Sequence, residues 1–127
     1  MIKDFKIPAS LCIGGQVLWV KEVLRCNDNN LGRCNLAAGE IQIAQTFNSN
    51  GDYEVSNSSK QNTFCHEIVH AILDTMGENE LSGNEKFVCC FSGYLTEVVQ
   101  QIVRENVQEA YLSAAQLTKE CNTCSDK

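Results

Sequence analysis

Apolar positions change their period about half-way along the chain. Before residue 46 they alternate or gather in short runs, and after residue 60 they recur every three or four positions. Leu11-Cys12-Ile13 and Gln16-Val17-Leu18-Trp19-Val20 flank Gly14-Gly15. Two glycines supply the positive φ angles of a tight turn, so this stretch predicts a β-hairpin whose second strand runs to about Leu24. Residues 26–39 hold four Asn, two Gly and one Asp, which is loop chemistry. Glu40-Ile41-Gln42-Ile43-Ala44-Gln45 alternates again, a third strand with Ile41 and Ile43 on one face. Residues 47–60, rich in Asn, Ser and Gly, read as a long loop, and long loops in small domains are often functional.

Helical spacing then takes over. Phe64, Ile68, Val69, Ile72, Leu73 and Met76 predict a helix over about 61–76, with Gly77 as its stop. Asn84 caps a second helix with Glu85 in its first turn, where a carboxylate suits the helix dipole. Phe87, Val88, Phe91, Leu95, Val98, Val99 and Ile102 carry that helix on, and helical pattern extends or resumes over about 106–119. Residues 120–127 read as a frayed tail. Strands first and helices after predict an α+β fold: an N-terminal three-stranded sheet (about 10–45) packed on a central helix, with one or two further C-terminal helices. The 127 residues make one domain, 1–127. Trp19, Phe64, Phe87 and Phe91 are the expected aromatic core.

Charge narrows the partners. The net charge is −6 with no basic run, which disfavours nucleic acid as a partner. No apolar stretch of signal-peptide length follows the N-terminal Met-Ile-Lys-Asp-Phe-Lys-Ile-Pro, and none could span a bilayer. A cytoplasmic protein without a membrane partner is expected, and its oligomeric state is left open. Eight cysteines, at 12, 26, 34, 65, 89, 90, 121 and 124, suit disulfides, free thiols or zinc. A reducing compartment makes them thiols, with Cys65, Cys89 and Cys90 acting as small packed apolar groups on the helices. Cys121-x-x-Cys124 remains a possible redox pair or half of a zinc site.

The chemistry concentrates in His66-Glu67-Ile68-Val69-His70, which contains the only two histidines of the chain. Residues four apart share a helix face, so two imidazoles can grip one Zn2+ ion while Glu67 addresses a water beside it. Catalytic zinc takes three protein ligands, so the third must be acidic or a thiol. Asp74, Glu78, Glu80, Glu85 and the Cys89-Cys90 pair are the nearby choices. Glu85 is preferred, because a helix starting there and packing antiparallel on the first faces its carboxylate to His66 and His70. Cys89 is the reserve.

Residues 39–95 resemble a small gluzincin-type zinc metallopeptidase, the compact HExxH architecture of SprT-like proteins and of short peptidases encoded by phages and mobile elements. The resemblance rests on Ile41-Gln42-Ile43-Ala44, on His66, Glu67 and His70, and on Asn84-Glu85 followed four residues later by small Cys89. Leu73 and Met76 stand where metzincins carry Gly and His, which excludes that class. The resemblance implies a minimal zincin-like fold, metal ligands His66, His70 and Glu85, and Glu67 as general base in zinc-dependent hydrolysis of a peptide or protein substrate. It also implies that Ile41, Gln42, Ile43 and Ala44 form an edge strand that binds substrate by β-addition. The alternatives are a non-catalytic zinc-binding module that works through protein interaction, and a disulfide-stapled domain with an accidental motif.

Overall fold

A computed structural model describes residues 5–27, 30–47 and 53–125, with side chains as far as Leu117. The fold is mixed α and β: a four-stranded sheet, a small two-stranded sheet, and helices. The predicted hairpin forms from β1 (Ser10–Ile13) and β2 (Gln16–Val23), and both Gly14 (φ 58°) and Gly15 (φ 82°) take the left-handed conformation its turn needs. The third predicted strand is Glu40–Ala44, but it is not third in the chain. The 26–39 stretch contains another strand, Gly32–Asn35, which becomes β3 and makes Glu40–Ala44 β4. The sheet order is β1-β2-β4-β3, with β2 and β4 parallel and the other pairs antiparallel. The predicted three-stranded sheet is thus corrected to four.

Period two sorts the sheet's faces. Leu18, Ile41 and Ile43 are fully buried on the inner face, with Cys34 packed beside them. Trp19 lies on the outer face at 56% exposure, so it is not the core residue the sequence suggests. Phe91 is exposed as well, whereas Phe64 is buried and Phe87 packs partly against the helical core. A short pairing of β5 (Thr46–Phe47) with β6 (Tyr53–Glu54) follows, with the Phe47 and Tyr53 rings stacked.

Helix α1 (Asn57–Thr75) begins one turn earlier than its apolar spacing indicates. Ser56 is its N-cap, accepting a hydrogen bond from the Ser59 amide, so the polar run that reads as loop is the first helical turn. Its other end is a Schellman motif. Gly77 (φ 82°) allows the Glu78 amide to donate to Leu73 and the Gly77 amide to donate to Asp74. A four-residue helix, α2 (Asn79–Ser82), then leads to α3 (Glu85–Ser125), which Asn84 caps through the Phe87 amide as expected. The second and third helical stretches are one helix of 41 residues, about 60 Å long, and it continues through most of the predicted tail.

Helix α1 is the middle layer. Phe64, Cys65 and Ala71 pack on the sheet with Leu18, Ile41 and Ile43, while Val69 and Leu73 pack on Val88 of α3. Gln61 bonds Gln100 and Asn62 bonds Thr96, so α3 runs antiparallel to α1. No helix among the described residues is long and apolar enough to cross a membrane. The described cysteines are all free thiols. Cys65 is buried as expected, but Cys89 and Cys90 are exposed rather than packed. Cys121 and Cys124 lie outside the described side chains.

Candidate metal centre

A third side of α1 opens between β3 and the start of α3. Asn62, His66, His70 and Asp74, each one turn from the next, run along it with Thr63 and Glu67 beside them. Together they floor an open cleft of about 580 Å3, walled by residues 30–34 of the chain entering β3 and by Glu85 from the start of α3. The Schellman turn, α2 and the Asn84 cap reverse the chain so tightly that residue 85 returns beside residue 70.

Two imidazole nitrogens and a carboxylate converge at the cleft floor. His66 Nε2 and His70 Nε2 are 3.2 Å apart. Glu85 straddles them, with Oε2 at 3.4 Å from His66 Nε2 and Oε1 at 3.3 Å from His70 Nε2. Zinc–nitrogen and zinc–oxygen bonds near 2.1 Å imply tetrahedral ligand separations of about 3.4 Å. The observed spacing is that of ligands around one such ion. Among the described residues, His66, His70 and Glu85 form the one group of three or more His, Cys, Asp or Glu side chains whose ligand atoms, one from each, lie within 4.8 Å of one another. Comparison with protein-family models, curated proteins and solved structures returns no match. The chemistry of the cluster must therefore be read from its own atoms.

Those atoms are arranged for a cation. Burial holds the His66 pKa below its ordinary value, and the neighbouring His70 adds to this against the opposing pull of Glu85. A neutral imidazole keeps a lone pair free for a metal. Burial also pushes the Glu67 carboxyl up to about 7, with the Glu85 charge contributing. Glu67 is only 7% exposed, yet it lines the cleft. An acid of that pKa exchanges a proton near neutral pH.

Its burial depends on Gly32. A Cβ at Gly32 would lie 2.4 Å from Thr63 Cγ2 and 3.2 Å from both Cγ and Oε1 of Glu67. The bare backbone of β3 therefore rests directly on α1 at Thr63 and Glu67.

Other sequence expectations fare differently. Asp74 lines the cleft but stands outside the ligand group. Cys89 does not point its sulfur at the ligand nitrogens. It lies 3.9 Å from His66 Nδ1, the opposite side of the ring, and 4.0 Å from Glu85 Oε2. The edge-strand assignment to Ile41, Gln42, Ile43 and Ala44 is overturned. β4 is paired on both sides, with β2 and with β3, so its backbone groups are taken, and Ile41, Ile43 and Ala44 are buried. The strand at that edge of the sheet is β3, and it is β3 that borders the cleft. Ser82 is a residue the sequence did not single out. Its Oγ lies 3.0 Å from His70 Nδ1.

Proposed function

We propose that the chain is a zinc-dependent peptidase of minimal zincin-like design, with His66, His70 and Glu85 as metal ligands and Glu67 as general base. The observation that carries this reading is the convergence of two imidazole nitrogens, 3.2 Å apart, and a carboxylate with one oxygen 3.3–3.4 Å from each, beside the buried carboxyl of Glu67, all opening on one cleft. The donor set fits zinc, since two imidazoles and one carboxylate leave a fourth position open in a tetrahedral site. Bound there, zinc would supply Lewis acidity, lowering the pKa of a water and polarising the substrate carbonyl.

The chain's own groups supply the remainder. Glu67 takes the proton of the attacking water and returns it to the amine nitrogen as the C–N bond breaks. Its wall, the bare backbone at Gly32, limits solvent around the carboxylate on that side. A peptide lying along the cleft would meet β3, whose outer edge has no strand pairing among the described residues. Backbone pairing there gives affinity with little demand on side chains.

The experiment is metal analysis of protein prepared without chelator, alongside Glu85→Ala and Glu67→Gln. About one zinc per chain is expected, weaker uptake in Glu85→Ala, and full uptake without proteolysis in Glu67→Gln. Absence of zinc from every form would end the metal reading. Equal action of wild type and Glu67→Gln on a broad peptide mixture would end the assignment of the base. A metal-holding module without catalysis shares the cluster, and it predicts no cleavage by the zinc-loaded wild type.

A further inference from the structure

We propose that Ser82 is a positioning residue of the metal cluster: its hydroxyl accepts a hydrogen bond from His70 Nδ1–H and thereby aims the His70 Nε2 lone pair at the ion. This rests on the metal reading above and deepens it. A neutral imidazole carries one proton on one of two nitrogens. A ring that ligates through Nε2 must carry its proton on Nδ1, and whatever accepts that proton fixes both tautomer and ring orientation. Ser82 Oγ sits 3.0 Å from Nδ1, while Nε2 on the far side of the ring lies 3.2–3.3 Å from His66 and Glu85.

The local fold delivers this hydroxyl. Ser82 is 5% exposed, and a buried hydroxyl needs a partner. Leu81, beside it, packs separately into the α1–α3 core. The Ser82 amide donates to Glu78 and the Gly83 amide to Asn79, so α2 is a closed turn held at both ends. A hydroxyl also orients the ring without adding another carboxylate to a cleft already lined by Glu67, Asp74 and Glu85. His66 is held less firmly, since its Nδ1 faces the Cys89 sulfur at 3.9 Å.

The test compares wild type, Ser82→Ala and Leu81→Ala by zinc titration against a competing chromophoric chelator. Long-range 1H–15N spectra of the zinc-loaded forms read which His70 nitrogen bears the proton. Ser82→Ala is expected to weaken zinc binding about 10- to 100-fold, at a metal-free melting temperature close to wild type. Leu81→Ala disturbs α2 packing without touching His70, so it is expected to melt lower and keep its zinc affinity. The wild-type His70 Nδ1 is expected to be protonated and protected from exchange, and the protection is expected to vanish in Ser82→Ala. Wild-type affinity in Ser82→Ala, an equal loss in Leu81→Ala, or a bare Nδ1 in the zinc-loaded wild type would each overturn the proposal. A wild type that takes up no zinc overturns the metal reading and this proposal together, which separates the two failures.

Discussion

Replacing Gly32 by Ala tests the contact of β3 with Thr63 and Glu67 of α1. The new methyl would lie 2.4 Å from Thr63 Cγ2, against about 3.5–4.0 Å for relaxed carbon contacts. Thr63 is 8% exposed and has little room to retreat. Overpacking of this kind costs about 1–3 kcal/mol. Removing a strand glycine returns about 0.5–1 kcal/mol of backbone entropy. A net loss of about 0.5–2 kcal/mol is therefore expected from Gly32→Ala. Thr63→Ser deletes Cγ2, so the double variant is expected to recover most of the loss, giving a coupling of about 1 kcal/mol or more in a double-mutant cycle. Urea unfolding followed by far-UV circular dichroism is the assay, because exposed Trp19 makes fluorescence a weak reporter. Zinc content is expected to hold, since the crowded neighbours are Thr63 and Glu67 and not the ligands. A Gly32→Ala protein as stable as wild type, or one that Thr63→Ser does not rescue, would refute the close-contact reasoning.

Glu67 gives a pH signature in metal-free protein. Its folded pKa is raised from 4.5 to about 7, so its contribution is full below about 4.5 and is lost as pH rises through 7, a decline of about 3 kcal/mol. Urea midpoints in the presence of chelator are expected to show this fall in wild type and not in Glu67→Gln, and parallel curves would disprove it. Ser56→Ala removes the α1 cap and is expected to cost about 1 kcal/mol by the same unfolding assay; a loss too small to measure would deny the cap its role. Burial and the charges of Glu67 and Asp74 push the Cys34 thiol up to about 11. It is expected to outlast exposed Cys12, Cys89 and Cys90 in an alkylation time course read by mass spectrometry at pH 8, and equal rates would contradict its burial.

Periodicity made the hairpin, β4 and α1 legible, because each buries one face and must repeat with its own period. The ligand trio was legible for a related reason. His66 and His70 share a helix face by spacing alone, and a cap at Asn84 sends Glu85 back over them. β3 was not legible, because Gly32-Arg33-Cys34-Asn35 has no apolar alternation and owes its strand to pairing with β4. Its absence from the reading made β4 look like an edge. Ser82 left no trace in the sequence either. Its role arises only when a four-residue helix stands between two long ones, and a serine in a polar stretch ordinarily signals a turn.

The ligand set spans residues 66 to 85, within a single helical hairpin. Closing so short a segment costs little chain entropy, and the cost grows only with the logarithm of its length. An ion bound there would join α1 to α3. The sheet contributes separately, through Gly32 against Glu67. The candidate ion site and the burial of Glu67 thus rest on different parts of the chain.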